Sequence, residues 1–221
     1  PKAKVKFIKS LRLKKNRLQE NNFFLEGEKN VSLLLASAYE VTTLVATPHF
    51  LHTYAHLLQG RQMEVFSIPE ETLRDLSNLE ENHTALAVAT IPPPAAWEIT
   101  PQQYGLVLDD IQNPGNLGTI IRVADWYGLA GIICSPTTVE LYNPKVLQAS
   151  MGSFLHVKVH YTDLPSYLAK VRVPIIGTFT SGESLHDPHT VYPSEGLIVI
   201  GNEAKGINPV SYTHLTLPTN R

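Results

Sequence analysis

Apolar residues recur along the chain in two patterns, as short continuous runs and as stripes spaced three or four positions apart. The runs are typical of buried strands, and the stripes are typical of amphipathic helices. In the first half, strands are predicted at residues 22–26, 41–46, 63–68 and 85–90, and helices at residues 4–18, 27–39, 48–59 and 69–78. This alternation predicts a small α/β domain.

The second half alternates in the same way, but its strands are apolar throughout. Strands are predicted at residues 104–109, 131–134, 154–160, 173–179 and 196–200, and helices at residues 117–127, 144–151 and 164–171. Continuous apolar strands indicate a parallel sheet that is covered on both faces. Between the halves, the prolines at 92–94 and 101 favour an extended, semi-rigid linker. We therefore predict an α/β fold with domains at residues 1–91 and 103–209, joined by a linker at 92–102.

The most informative stretch of the second half is residues 109–128, where a strand leads into a helix. Pro114 and Gly115 suit the central positions of a type II turn, and Asn116 can cap the helix that follows. The apolar stripe of this helix is Leu117, Ile120, Ile121 and Ala124. Because ligands of open α/β sheets bind at the C-terminal ends of the strands, the polar residues of this turn are candidates for a site.

Composition narrows the class of protein without identifying it. The 221 residues are 43% hydrophobic and 17% charged, which suits a globular protein. A single cysteine, Cys134, excludes a disulfide framework and a cysteine-based metal site. Apolar runs stay shorter than a membrane span, and no signal peptide is visible, so we expect a cytoplasmic protein.

Charge is distributed unevenly between the N-terminus and the rest of the chain. Residues 1–19 hold eight of the 18 basic residues and no acidic residue, which leaves 10 basic against 20 acidic residues in the remainder. A basic arm on an acidic body favours a polyanionic partner such as RNA. A solvated, lysine-rich helix explains the same pattern, and both interpretations stay open at this point.

Two residues of the second half carry the candidate chemistry. Arg122 lies off the apolar stripe of its helix, so that it either pairs with Asp125 or presents a guanidinium near the strand ends to a phosphate or hydroxyl. Glu203 lies between Gly201 and Gly206 in the loop after an apolar strand. Glycines allow the backbone to approach a ligand closely, although an ordinary surface turn has the same composition.

Other sites receive less support from the sequence. Two further polar, glycine-containing loops follow strands at residues 143–153 and 177–182. No dinucleotide fingerprint, Walker-type phosphate loop or nucleophile elbow is present. His49, His52 and His56 fall near one helical face, where a solvated surface is a simpler interpretation than a metal site, so we expect no metal.

The spacing from Asn116 to Arg122 and the loop from Gly201 to Gly206 closely resemble SPOUT RNA methyltransferases of the SpoU/TrmH type. Residues 111–122, Ile-Gln-Asn-Pro-Gly-Asn-Leu-Gly-Thr-Ile-Ile-Arg, resemble the first motif of that family, and residues 198–207 resemble the second. The resemblance covers residues 1–209, and residues 1–91 look like the ribosomal-protein-like RNA-binding domain that often precedes this catalytic domain.

The resemblance implies a fold and an activity that the residues alone do not establish. It implies a parallel SPOUT sheet with a trefoil knot and S-adenosylmethionine as the methyl donor. It also implies transfer to a ribose 2′-hydroxyl of structured RNA by a homodimer whose active site lies near the interface. The N-terminal domain favours ribosomal over transfer RNA by analogy.

The resemblance also assigns roles to particular residues. Arg122 matches an arginine thought to help deprotonate the 2′-hydroxyl, but a guanidinium is a poor base, so we expect it to orient that group and to stabilise negative charge. Asn116 and Glu203 match polar residues of the two motifs and complete the expected catalytic set. The expected donor pocket comprises Thr178, Ile200 and Gly201. The expected RNA-binding residues are Lys9, Arg12, Lys14, Lys15 and Arg17.

The family's third motif, a Ser-Leu-Asn-containing loop and helix, is missing after Pro209. Residues 210–219, Val-Ser-Tyr-Thr-His-Leu-Thr-Leu-Pro-Thr, resemble a translated sequencing adaptor, although a short native strand is the alternative. We therefore expect residues 210–221 to be a non-native tail and the knot, dimer and donor site to be incomplete. The alternative function is a non-catalytic RNA-binding protein or an inactive fragment.

Overall fold

The chain folds into two compact units, each with its own β-sheet. The computed structural model describes residues 2–77, 84–94, 102–179, 192–209 and 217–220. One unit is formed by Pro1–Pro93 and Tyr142–Leu155, and the other by Pro94–Leu141 and His156–Arg221. Most of the predicted linker (95–101), the end of one polar loop (180–182) and part of the predicted tail (210–216) lie outside the described residues.

The first unit is a four-stranded sheet with helices between its strands. Its strands are β1 (Asn22–Glu26), β2 (Val41–Ala46), β3 (Glu64–Ser67) and β4 (Ala85–Thr90) in the order β1-β4-β2-β3. Its helices are α1 (Lys2–Ser10), α2 (Lys14–Glu20), α3 (Glu28–Ala36), α4 (Pro48–Thr53), α5 (Ala55–Leu58) and α6 (Glu70–Leu76). Strand β4 runs antiparallel to both neighbours, while β2 and β3 are parallel. The predicted alternation is therefore confirmed.

The basic N-terminus is part of this core rather than a loose arm. Ile8 and Leu11 are buried in a cluster with Phe24 and Leu73. The prediction of one helix over residues 4–18 is wrong, because the chain breaks between α1 and α2. Arg17 stabilises the break, since its Nη1 donates to the carbonyl oxygens of Leu11 and Arg12 at 2.7 and 2.8 Å.

The second unit contains a six-stranded parallel sheet. Its strands are β5 (Tyr104–Asp109), β6 (Ile132–Cys134), β7 (Val159–Tyr161), β8 (Ile175–Phe179), β9 (Gly196–Gly201) and β10 (Leu217–Asn220) in the order β10-β8-β9-β5-β6-β7. The helices of this half of the chain are α7 (Pro114–Trp126), α8 (Pro144–Ser150) and α9 (Leu164–Leu168). Each neighbouring pair of strands is parallel, as the continuous apolar runs predict.

Helix α8 and the 3₁₀ turn Ser153–Leu155 belong to the first unit, although they come from the second half of the chain. Phe23 of β1 packs on Tyr142 and Phe154 with ring centroids 4.7 and 6.1 Å apart. Burial raises the pKa of Tyr142, because its phenol lies within this apolar cluster. The strand predicted at residues 154–160 is therefore wrong over its first half, where a 3₁₀ turn buries Phe154.

The last described segment of the chain forms a strand of the parallel sheet. Strand β10 lies in the stretch predicted to be a non-native tail, and it pairs in parallel with β8 from Leu217 opposite Ile176 to Asn220 opposite Phe179. Within the described ranges, no helix is both long enough and apolar enough to cross a membrane.

Candidate functional site

The candidate site lies where two neighbouring strands of the parallel sheet end. Strands β5 and β9 run side by side, with Leu108 opposite Ile200 and Asp109 opposite Gly201. Both strands end at the same edge, so the loop after each one begins at the same level. The first loop leads into α7, and the second contains Glu203.

The first loop is held by hydroxyl groups from the turn after β6. Asp110 has a positive φ of 61°, and its N–H donates to the Ser135 Oγ at 2.9 Å. The N–H of Ile111 donates to the Thr138 Oγ1 at 3.3 Å, and the same hydroxyl donates to the Leu108 carbonyl at 3.2 Å. These bonds fix the chain as it turns away from the sheet and towards the helix.

Helix α7 begins earlier than the sequence predicts. Its N-cap is Asn113, whose Oδ1 accepts from the N–H of Gly115 at 2.8 Å and of Asn116 at 3.4 Å. Pro114 occupies the first helical position, where its fixed φ favours the helix and its missing N–H costs nothing. The predicted type II turn and the Asn116 cap are therefore wrong. The side chain of Asn116 therefore does not cap the helix and is exposed to solvent.

Asn116 and Glu203 meet across the two loops. The Nδ2 of Asn116 donates to the Oε1 of Glu203 at 2.5 Å, although the two residues are 87 positions apart. Both side chains are exposed to solvent. The structure thus brings together one residue from each of the two stretches that resemble family motifs.

The loop that carries Glu203 folds back on itself very closely. Asn202 and Gly206 exchange two backbone hydrogen bonds of 3.0 and 2.9 Å, and Gly206 has a φ of 70°. A Cβ on Gly201 would lie 2.2 Å from the carbonyl carbon of Gly206 and 2.3 Å from the nitrogen of Ile207. The loop's own backbone therefore explains why glycine occupies position 201, and no approach of a ligand is needed for that.

Four residues that the sequence interpretation did not select hold the two loops together. Asn202 donates from Nδ2 to the carbonyl oxygen of Asp110 at 2.8 Å. The buried carboxylate of Asp109 accepts from the N–H of Asn208 at 2.9 Å. Their signals in the sequence are an asparagine directly after a glycine, which is typical of tight turns, and two acidic residues directly after an apolar strand.

Arg122 lies on α7 but does not join the Asn116–Glu203 pair. It is six residues further along, about 9 Å along the helix axis and about 120° around it. Its side chain is exposed, and within the described part of the chain it makes no hydrogen bond or ion pair. The predicted alternative of a pair with Asp125 is wrong, because the Asp125 Oδ2 lies 3.3 Å from the Nδ1 of His156.

The three residues predicted for the donor pocket lie on the adjacent strands β8 and β9. Thr178 is half-buried, and its hydroxyl donates to the carbonyl of Val199 at 2.9 Å, which leaves its lone pairs available to accept. Ile200 is also half-buried, at the end of β9 beside Gly201. A hydroxyl acceptor beside an apolar side chain and strand-end backbone groups fits the nucleoside part of S-adenosylmethionine.

Of the five basic residues predicted to bind RNA, four have exposed side chains and one is buried. The side chains of Lys9, Arg12, Lys14 and Lys15 are exposed. Arg17 is only 2% exposed, and burial lowers the pKa of its guanidinium. This placement contradicts the RNA-binding role predicted for Arg17, because a guanidinium held by two backbone carbonyls cannot reach a phosphate without losing them. Arg12 is partly engaged too, since its Nη2 donates to the Leu76 carbonyl at 3.1 Å.

The residues that the structure describes form no cluster that could bind a metal ion. Nowhere in those ranges do three histidine, cysteine or acidic side chains gather closely enough to hold an ion. His49, His52 and His56 are exposed on α4 and α5.

Each half of the chain matches a known protein family or domain. Residues 103–218 match the SpoU rRNA Methylase family, and residues 2–87 match the MRM3-like substrate binding domain. The chain is 28% identical to the 23S rRNA (guanosine(2553)-2′-O)-methyltransferase RlmP of Bacillus subtilis, over 93% of this chain and 81% of that protein.

Two solved structures share the architecture. A TrmH-family protein from Porphyromonas gingivalis superposes with a TM-score of 0.85 and 32% identity, covering 98% of this chain and 86% of that one. The SpoU methyltransferase AviRb from Streptomyces viridochromogenes, in complex with AdoMet, superposes with a TM-score of 0.84 and 23% identity, covering 99% of this chain and 88% of that one. The predicted SPOUT-type α/β fold is confirmed, and the chain belongs to the SpoU rRNA methylase family.

Proposed function

We propose that this protein transfers a methyl group from S-adenosylmethionine to a ribose 2′-hydroxyl of ribosomal RNA. The observation that carries the proposal is the Asn116–Glu203 hydrogen bond, which joins the two family motifs at the ends of β5 and β9. Arg122 adds an exposed guanidinium on the helix that carries Asn116. The relatives support the choice of RNA, because RlmP is named for 2′-O-methylation of 23S rRNA.

The three proposed catalytic residues have different tasks. A bound S-adenosylmethionine supplies an electrophilic methyl group to the site. Arg122 binds the target ribose oxygen or the neighbouring phosphate, and its fixed positive charge stabilises the negative charge that develops as the hydroxyl loses its proton. Glu203 holds the Asn116 amide through Nδ2, so that the Oδ1 of Asn116 faces away from Glu203 and can accept a hydrogen bond from the RNA.

The remaining proposed contacts divide between the two units. Thr178 and Ile200 form the wall of the donor pocket, and Gly201 contributes backbone groups beside them. The exposed side chains of Lys9, Lys14 and Lys15 contact RNA phosphates, and Arg12 adds a further charge next to α6. Phosphate contacts of this kind give affinity without sequence specificity. The target nucleotide must therefore be selected by other contacts between the protein and the RNA.

We also propose that the active form is a homodimer that pairs through α7. Three large apolar side chains lie exposed near the C-terminal end of this helix, Val123 at 45%, Trp126 at 85% and Tyr127 at 73%. Exposed apolar patches of this kind mark interaction surfaces. They flank Arg122, so a second copy on this face would border the proposed active site.

Methyl transfer to deproteinised large-subunit ribosomal RNA tests the proposed reaction. Labelled methyl groups should enter the RNA, and mapping by alkaline hydrolysis should find a bond that resists cleavage because its 2′-hydroxyl is blocked. Arg122→Ala should lower the rate by about 10²-fold or more, which is the usual effect of losing a charge-stabilising donor.

Arg172→Ala is the matched control, because Arg172 is also an exposed arginine of the second unit. It should leave the rate unchanged. Equal rates for the two arginine variants would remove Arg122 from the reaction. RNA binding without any methyl incorporation by the unaltered protein would favour a non-catalytic RNA-binding role instead.

A further inference from the structure

Glu203 lies near the tip of an exposed loop, so its position depends on what holds that loop. The carboxylate reaches Asn116 only if the loop after β9 keeps a fixed shape and a fixed distance from the loop after β5. We propose that Asn202 is the positioning residue that meets both requirements. This inference rests on the proposed function, since the site that it positions is the proposed methyl-transfer site.

The side chain of Asn202 uses both of its polar atoms. Its Oδ1 accepts from the N–H of Ala204 at 2.9 Å and of Lys205 at 3.1 Å, which closes the turn around Glu203. Its Nδ2 donates to the carbonyl oxygen of Asp110 at 2.8 Å, and the Oδ2 of the same residue lies 3.4 Å away. One amide therefore shapes the second loop and ties it to the first.

The partner of Asn202 is itself held in an unusual conformation. Asp110 has a φ of 61°, which non-glycine residues adopt rarely. Its backbone N–H is bound by Ser135, and its Oδ1 accepts from the Gln112 Nε2 at 2.6 Å. The Asp110 carbonyl is thus a fixed acceptor, and an amide donor is suited to it. The tie runs from the turn after β6, through Asp110 and Asn202, to Glu203.

Replacement by aspartate separates the two tasks of the side chain. The new carboxylate of an Asn202→Asp variant would still accept from Ala204 and Lys205, but in its ionised form it has no proton to donate. It would place an oxygen against the carbonyl and carboxylate oxygens of Asp110. The charged groups around this point are Asp110, Lys205 with its Nζ 3.9 Å from the Asp110 Oδ2, buried Asp109 and Glu203 itself.

The pH dependence of this variant distinguishes positioning from general structural support. The Asp110 carboxylate beside the new carboxyl group disfavours the charged form of that group, so the group binds a proton more readily as pH falls. A protonated carboxyl group donates as the amide does and restores the tie to Asp110. The methylation rate of Asn202→Asp, relative to the unaltered protein, should therefore rise as pH falls.

The experiment measures single-turnover methyl transfer from pH 5.5 to 8, together with the dissociation constants for RNA and S-adenosylmethionine. At pH 8, Asn202→Asp should be about 10- to 100-fold slower, because a misplacement of about 1 Å at a reacting site costs up to about 10²-fold in rate. Both dissociation constants should stay within about twofold. The relative rate should recover several-fold at pH 5.5, while Asn202→Ala should be slow at every pH.

Two further variants control for folding and for loss of an amide. Asn21→Asp removes a similar bond in the first unit, from Nδ2 to the Ile91 carbonyl at 3.1 Å, and should leave the rate unchanged. Asn202→Ser keeps a short acceptor for the turn without reaching Asp110, and should be slow at all pH values. It takes the place of Asn202→Asp if that protein does not fold.

A readout that does not depend on catalysis separates this inference from the proposed function. The NMR signal of the Asn116 side-chain amide should shift in Asn202→Asp at pH 8, return towards its original position at pH 5.5, and stay shifted in Asn202→Ala. If the unaltered protein does not methylate RNA, the proposed function fails while this signal still decides the role of Asn202. An Asn116 signal or a methylation rate that is unchanged in Asn202→Asp at pH 8 would overturn the inference.

Discussion

The loop after β9 leaves no room for a side chain at Gly201, and this makes Gly201→Ala a severe substitution. The added Cβ would lie 2.2 Å from the carbonyl carbon of Gly206, 2.4 Å from its oxygen and 2.3 Å from the nitrogen of Ile207. Ordinary contacts between such atoms are about 3.5–4.0 Å. All three atoms belong to the backbone, so no rotation of a side chain relieves the overlap.

The loop has to open for the variant to fold, and the cost follows from what is lost. Opening breaks the two backbone hydrogen bonds between Asn202 and Gly206, at about 1 kcal/mol each. Overpacking of a tight site costs about 1–3 kcal/mol. The free energy of unfolding should therefore fall by about 3–5 kcal/mol. Gly128→Ala is the matched control, because Gly128 has a φ of 62° but no atom near its missing Cβ. It should cost about 1–2 kcal/mol, from backbone strain alone.

Urea denaturation followed by circular dichroism and by tryptophan fluorescence measures both variants. Methyl transfer by the folded Gly201→Ala protein should also fall by at least tenfold, because the displaced loop moves Glu203 away from Asn116. The reasoning is refuted if Gly201→Ala costs no more than Gly128→Ala, or if it keeps the full methylation rate.

Four other predictions test separate parts of the structure. Arg17→Ala should lower the free energy of unfolding by about 3 kcal/mol, because two charged hydrogen bonds to carbonyls are lost, as thermal denaturation would show. Lys15→Ala should instead lower RNA affinity and reduce the slope of log affinity against log salt by about 0.7–0.9, and a reversed pattern would contradict both assignments. Asn113→Ala should cost about 1 kcal/mol in urea denaturation through loss of the α7 cap, whereas Asn113→Asp, which keeps the cap, should cost little. Burial raises the pKa of the Cys134 thiol, so iodoacetamide at pH 8 should label it only after urea unfolding, as mass spectrometry would detect.

The architecture was largely predictable because both hydrophobic periods are strong in this chain. Strands that are apolar throughout can only be buried on both faces, and they do form a parallel sheet. The breaks in local regularity were not predictable. The turn between α1 and α2 depends on Arg17 reaching back to Leu11 and Arg12, and the 3₁₀ turn at Ser153–Leu155 depends on Phe154 entering an aromatic cluster on β1. Such contacts do not appear in a local pattern.

At the site too, residue types were enough to predict some features, whereas others depend on the three-dimensional geometry. Composition marked the two loops, since glycines and asparagines follow apolar strands in both stretches and a glutamate follows in the second. Composition could not show that Gly201 makes room for backbone rather than for a ligand, because both explanations require the same missing side chain. Nor could it separate Arg17 from the exposed lysines nearby, since burial of a single cation is a tertiary property.

Asn113 and Asn116, at the start of α7, have different tasks, which explains why the first family motif contains two asparagines. An asparagine that caps a helix turns its side-chain oxygen back to the helix N–H groups and cannot reach a neighbouring loop. Asn113 takes that task, with Pro114 starting the helix, and Asn116 is thereby left to donate to Glu203. An Asn113→Ala protein should therefore lose more methylation than its stability loss explains, because Asn116 would become the next available cap. The Asn116 amide signal in NMR should then shift towards that of a capping residue, whereas an unchanged signal would show that the two asparagines act independently.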